Sequence, residues 1–475
     1  MSKEFEEVKP LKPGDKVLRM RVRRVRMRRV LTVPALYSAG YGNVGSSIYY
    51  ALGIVALVAL GATPIALAIA GIFFIFIAMT YAEGSAMFPE AGGLIVFAKR
   101  AFGKFVAFIA GWALLLNYIV TISISAFTIS PYLGFFWAPF KESPLVGTTL
   151  SIGIVLFLMV LNIIGIKETS LVNIGSALID LTTQVLLVIL GFIFLFSPKV
   201  LFQNMFGEGN FPSLTSLAFG IALASLAYTG VATISQMAEE ARKPQKRIPK
   251  AMMLMVVTVL LLFSGISIIA LSAMTPHTLA TEWARDPVAG IAHSLPHPLS
   301  NFFKPLVAFL AATILLIATN AGLIGISRLS FAMGNYGLLP SFLNKIHPRF
   351  GTPYASIVFF SIVAILILIP GYWVPRLFAD LGALYTFAVL FSFIIAYLSI
   401  IALRVKEPEL ERPFLVRPNV NVKGKKIPVF CVIGAIATLA IWIVILVSQP
   451  FGRNIGFMWM AGGLLLFFLV LRKRS

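Results

Sequence analysis

The sequence is poor in the residues on which most enzymes and metal proteins rely. It holds one cysteine among 475 residues, Cys431, which excludes an intrachain disulfide. Four histidines without a Cys/His cluster give no basis for a structural metal site. The sequence has no Walker-type phosphate loop and no convergent Ser/His/Asp set, which argues against a primary pump or a membrane hydrolase. Charge is scarce too, at 12% of residues against 59% hydrophobic. That balance excludes an ordinary water-soluble globule and leaves no room for a large soluble domain.

Long apolar runs are what the chain has instead. A spanning helix needs about 20 apolar residues, and twelve stretches qualify: 32–60, 62–88, 105–131, 150–166, 171–196, 214–236, 251–274, 303–330, 353–370, 378–403, 429–447 and 455–471. The expectation is an all-α polytopic membrane protein with twelve transmembrane helices. A formal charge of +21 could suit nucleic acid, yet the basic residues are scattered between apolar runs, as topology signals are, so no nucleic-acid partner is expected. Eleven of the first thirty residues are Lys or Arg, and Phe5 to Arg29 has no apolar core of signal-peptide type. Residues 1–30 therefore read as an uncleaved basic cytoplasmic tail. Twelve crossings then return the C-terminus to the same side, giving a multi-pass protein of the cell membrane with both termini cytoplasmic. Under this topology 33 of the 39 basic residues lie inside; outside are Lys141, Lys199, Arg285, Lys304, Arg376 and Arg453. The run Val17 to Val30, with seven arginines, fits either a short helix on anionic headgroups or a solvated orienting tail.

Two spans carry residues that a continuous helix would avoid. Gly40-Tyr41-Gly42-Asn43-Val44-Gly45-Ser46-Ser47 lies in the first, and Ala227-Tyr228-Thr229-Gly230 lies in the sixth. Glycine permits non-helical backbone, and lipid cannot satisfy the amides and carbonyls that unwinding releases, so such breaks must face a cavity. The spans are five apart, and a repeat of five helices reverses orientation, which predicts a five-plus-five inverted repeat with broken helices 1 and 6 meeting at the midplane. The half-helix after Gly45 would aim the amides of Ser46, Ser47 and Ile48 at a carboxylate. Carbonyls near Ala227 and Thr229, in the break completed by Tyr228 and Gly230, would accept from an ammonium group. The alternative is that the glycines only let helices pack closely.

Polar residues also line particular helix faces. In the fifth span Ser176, Asp180 and Gln184 recur at four-residue spacing beside Thr183. An uncompensated charge at the depth of Asp180 costs at least about 2.5 kcal/mol, so it requires a bound cation, a proton, or hydrogen bonds from neighbouring groups. The third span offers Asn117, Thr121 and Ser125, with Tyr118 beside them, and the eighth holds Thr319 and Asn320 at mid-depth. A cavity wall and interhelical hydrogen bonding both account for these. Asp380 reads as a solvated cap, and the histidines receive no role.

Several ordered runs resemble the amino acid, polyamine and organocation (APC) transporter superfamily. Gly45-Ser46-Ser47-Ile48-Tyr49 is similar to its first-helix signature, with Ser47 in place of a usual glycine. Tyr81-Ala82-Glu83 and Phe88-Pro89-Glu90-Ala91-Gly92-Gly93 resemble the segment leading to helix three, and Gly165-Ile166-Lys167-Glu168 with Asn173 the start of helix five. Ala227 to Gly230 with Glu239-Glu240, Pro244 and Arg247-Ile248-Pro249 resembles the sixth helix and its loop. Ser327-Arg328, Gly337 to Pro340, His347-Pro348, Gly351 to Pro353, Glu407 to Leu410 and Arg412 to Phe414 complete the series. The resemblance implies ten core helices plus two peripheral ones. It divides the chain into a core at 31–404, with repeats at about 31–197 and 212–404, a cytoplasmic loop at 405–426, and helices 11 and 12 with the C-terminal tail at 427–475. It further implies secondary transport of amino acids by alternating access, ion-coupled or by exchange, without covalent chemistry or a cofactor, with Na+ or H+ as the coupling ion. The partners would be an amino acid substrate and membrane lipids, in a monomer or homodimer. Some proton-coupled members carry a lysine where Asp180 stands; a carboxylate there could bind sodium with Thr319 or carry a proton. Val231 and Ala232 replace the aromatic and acidic residues that often follow the sixth-helix glycine, which favours a neutral, moderately apolar amino acid. A polyamine or organic-amine transporter, a channel and a non-transporting sensor remain as alternatives.

Overall fold

A computed structural model of the chain describes residues 29–90, 92–165 and 170–472, without the side chains of 170–173, 176 and 470–472. The basic tail up to residue 28, the 166–169 segment, the side chains of Asn173 and Ser176, and the last three residues therefore lie outside the described residues.

Eleven helical stretches among the described residues are long and apolar enough to cross a bilayer, as a multi-pass membrane protein requires. The first, Val33–Met87, has 55 residues. A straight helix of that length would run about 80 Å, more than twice the hydrocarbon thickness. It is in fact subdivided into helices Val33–Gly45 and Ile48–Ala59, a 3-10 turn Leu60–Ala62, and helix Thr63–Met87. Leu60, at φ +45°, leaves helical geometry between Ile48–Ala59 and Thr63–Met87. The later helices are Lys104–Leu133, Pro144–Ile164, Ser170–Phe194, the divided Leu214–Gln236, Pro244–Ala273, Leu299–Asn335, Tyr354–Leu368, Leu377–Lys406, Val429–Ser448 and Pro450–Arg472. Local chemistry sets many of their starts. Proline occupies the first turn of Val33–Gly45, Thr63–Met87, Pro144–Ile164 and Pro244–Ala273, where its missing N–H has no helical partner to lose. The Ser143 and Ser213 hydroxyls accept from the free N–H groups of Val146 and Ser216.

Burial separates a core from a periphery. In Lys104–Leu133, 83% of the spanning window is buried, chiefly against Leu299–Asn335, whereas in Pro450–Leu469 the share is 22%. Side chains left outside are the apolar ones that lipid would cover, such as Phe157, Ile193, Leu261 and Leu465. Two details depart from the sequence expectation. The stretch 405–426 is more than a plain loop, because Asn419–Val422 pairs antiparallel with Lys425–Pro428 around Gly424 in a left-handed conformation. Asp380 is buried and paired at 3.4 Å with Arg376, one turn earlier at the start of Leu377–Lys406; it is not a solvated cap.

Candidate substrate and coupling site

Both helices with glycine-rich runs are interrupted. In the first, Ser46 and Ser47 stand between the two helical halves with dihedrals that stay right-handed. The hydrogen-bond ladder tightens there to three-residue steps: Ser47 N–H to Val44 O at 2.9 Å, Tyr49 N–H to Ser46 O at 3.3 Å and Tyr50 N–H to Ser47 O at 3.2 Å. Both serine hydroxyls donate to Asn43 O at 3.1 Å. Gly40 and Gly42 remain helical, so the break is narrower than the sequence run that announced it. The sixth helix breaks more fully. Leu214–Ala224 passes through a 3-10 turn at Ser225–Ala227, Tyr228 leaves helical geometry at φ −120° and ψ 56°, and Val231–Gln236 resumes after Gly230.

The two interruptions touch. A Cβ on Gly230 would lie 2.2 Å from Val44 Cγ2 and 2.5 Å from Gly40 O, so only glycine lets the sixth helix meet the first at backbone distance. Nearby, Asn43 Nδ2 donates to Thr233 Oγ1 at 3.2 Å.

Asp180, 1% exposed, joins the halves of the first helix. Tyr41, in Val33–Gly45, donates to Oδ2 at 3.0 Å, while Tyr49, in Ile48–Ala59, donates to Oδ1 at 2.7 Å. Gln184 Nε2 adds a bond to Oδ2 at 2.8 Å and reaches Gly45 O at 3.3 Å. Three neutral donors thus compensate the buried carboxylate, one from each side of the break and one from its own helix. Thr319, weighed as a helper for a cation, directs its hydroxyl to Leu315 O at 2.8 Å.

The other sequence-derived residues fall into separate neighbourhoods. Thr229 Oγ1 meets the Tyr385 hydroxyl at 2.7 Å. Tyr385 also adjoins Thr121, while Tyr50, bonded to Ser47 Oγ at 3.0 Å, adjoins Ser125 and Tyr385. A buried, uncharged ring of hydroxyls therefore links the two breaks through the third and tenth spans. Within it Ser125 Oγ lies beside the Tyr50 hydroxyl, and farther along the third span Tyr118 Oη lies beside Thr233 and Gln236. Tyr228 points elsewhere: its hydroxyl donates to Leu67 O at 2.9 Å and its ring packs on Phe74 and Phe263. Asn320 Oδ1 accepts from Asn162 Nδ2 at 2.6 Å, at the fourth span. Sequence reasoning missed Tyr41, Tyr49, Tyr50 and Tyr385. Tyrosines flanking the glycine-serine run were the signal for the first three; Tyr385 has none in its local sequence.

Ion pairs bind both ends of the molecule. Lys141 Nζ donates to both Asp286 oxygens at 2.7 and 3.0 Å and lies 4.6 Å over the Trp283 ring. Burial raises the Asp286 carboxyl above the usual aspartate range, and Lys141 and Arg285 oppose that rise. At the opposite end Arg328 pairs with Glu240 at 2.9 Å, and Val30 and Leu31 donate their N–H groups to Glu240 O. At that end too, Arg404 holds fully buried Glu83 through two bonds of 2.6 Å, with Val416 N–H adding a third at 2.8 Å. The motif residues Glu83, Glu240, Arg328 and Arg412 thus take part in ion pairs at that end, Arg412 lying 3.7 Å from Glu83.

The sequence profile of amino acid permeases matches residues 31–470. The chain belongs to the amino acid permease family. This permease is 28% identical over 475 residues to the branched-chain amino acid permease BcaP of Bacillus subtilis, covering 94% of each chain. It is 27% identical to the methylthioribose transporter of the same organism, over 94% of this chain and 95% of that one. A third relative, the B. subtilis glutamate/serine transporter AimA, is 28% identical over 80% of this chain and 72% of its own length. The interrupted helices and the Asp180 cluster therefore lie inside a segment that is permease throughout.

Proposed function

We propose that this permease is a secondary active transporter that moves a neutral, moderately apolar amino acid across the cell membrane by alternating access, with Asp180 coupling transport to a proton. In this reading Val33–Met87 supplies two crossings, giving twelve in all, arranged as two inverted five-helix units and two peripheral helices, with the Lys141 end outside. The observation that carries the reading is that the two interrupted helices meet at Gly230 while one carboxylate spans the break in the first. The break at Ser46 and Ser47 would take the substrate carboxylate once the Ser47 N–H leaves Val44 O, and carbonyls near Ala227 and Thr229 would take its ammonium group. The hydroxyl ring carries no charge, which suits a neutral side chain, as does the relation to a branched-chain permease. Both Asp180 oxygens accept from O–H and N–H donors, an arrangement suited to gaining or losing a proton: protonation turns one oxygen into a donor, releases a tyrosine and loosens one half of the first helix from the other.

The test is uptake of radiolabelled leucine into proteoliposomes under an imposed proton or sodium gradient. Accumulation should follow the proton gradient, and Asp180→Asn should abolish it while leucine exchange persists. Unchanged accumulation in that variant removes Asp180 from the coupling. A second reading, a neutral polyol thioether as substrate, is favoured by the density of hydroxyls and by the methylthioribose relative; competition of methylthioribose with leucine decides between them.

A further inference from the structure

One cavity lies off the central route, at the Lys141 end. It encloses about 190 Å3 between the third span, the start of the fourth and the turn after Tyr354–Leu368, with aromatic walls from Phe127, Phe140 and Trp373. Its polar lining comprises Ser130, Lys141, Ser143, Thr148, Arg285 and Tyr372. Thr148 is 1% exposed, and its hydroxyl has no hydrogen-bond partner among the described residues. Gly371 keeps the space open, since a Cβ there would lie 2.8 Å from Thr148 Oγ1 and 3.2 Å from the Phe127 ring. Arg285 is half-buried over Phe127 and gives one N–H to Pro375 O at 3.1 Å, out of the five a guanidinium carries. Lys141 is engaged with both oxygens of Asp286, whereas Arg285, which also feels the Asp286 charge, makes one hydrogen bond among the described residues. A planar cation with free donors, an orphan hydroxyl and aromatic walls form the chemistry that receives a carboxylate on an apolar body, and the small volume limits that body to a few carbons.

We propose that this cavity is a second binding site, distinct from the central one, which holds a small apolar carboxylate between Arg285 and Thr148.

The experiment is calorimetric titration of the full-length protein in lipid nanodiscs with isovalerate, which lacks the ammonium group that the central site would use, with and without saturating leucine. Saturable isovalerate binding should persist under leucine and weaken about tenfold or more in both Arg285→Gln and Thr148→Val, the loss expected for one hydrogen bond to a charged group. Thr148→Val keeps shape and volume, so it tests the site even if Arg285→Gln fails to fold. Displacement of isovalerate by leucine in simple competition, or wild-type affinity in both variants, overturns the proposal. If leucine binds nowhere, the central-site reading fails while the isovalerate result still decides this one.

Discussion

At the residue scale the Asp180 cluster shows how a membrane interior tolerates a carboxylate. Two tyrosine hydroxyls and a glutamine amide replace the water the charge would otherwise need, and all three are held by helices already fixed by packing. Tyr49→Phe removes the shortest of these bonds and should destabilise the fold by about 1.5–3 kcal/mol, as for a hydrogen bond to a charged group; thermal unfolding in detergent measures it, with Tyr41→Phe as a milder companion. Asp286 is a different case, exposed to pH outside the membrane. Its raised pKa means that the folded protein holds the proton more tightly than the unfolded chain, so its stabilising contribution is present at low pH and is lost as pH rises through the raised value. Asp286→Asn should therefore flatten the pH dependence of the melting temperature in the window above 3.8, the ordinary aspartate value. The polar stripe on the fifth span was legible because its four-residue spacing is local, but its partners come from residues more than 130 positions away.

At the element scale the two breaks differ in cause. The first is a tightening by two serines that turn their hydroxyls onto Asn43 O, while the second is a true departure at Tyr228. Composition flagged both, yet it overstated the first: Gly40 serves close packing, its absent side chain leaving room for Ile234, while the ladder through it stays intact. Gly45→Ala would set a Cβ 2.6 Å from the Tyr41 ring and should push that hydroxyl off Asp180. Gly230→Val would drive atoms into Val44 and Gly40 O and should separate the first and sixth helices. Leucine uptake should fall at least tenfold in Gly230→Val while Gly462→Ala, where a Cβ meets nothing, transports normally; equal transport in both would show that the contact of the breaks is dispensable.

At the scale of the molecule, buried ion pairs sit at both ends. Lys141→Ala should leave Asp286 without its ion partner and open that end, read as faster labelling of a cysteine introduced at Ser47 from that side. Glu83 is the harsher case: Glu83→Gln strands Arg404 in the interior and should cost about 3–5 kcal/mol, seen as a large fall in melting temperature. The apolar runs, the scattering of basic residues and the positions of glycine determined that this chain is a helical multi-pass protein with interruptions in two of its helices, because lipid solvation and backbone hydrogen bonding act on each segment separately. Which tyrosines would flank Asp180, that Tyr228 would turn to the second span, and that Glu83 would meet Arg404 across 321 positions were decided only by tertiary packing. Those pairings depend on which helix faces meet, and no local pattern encodes the face of a distant partner.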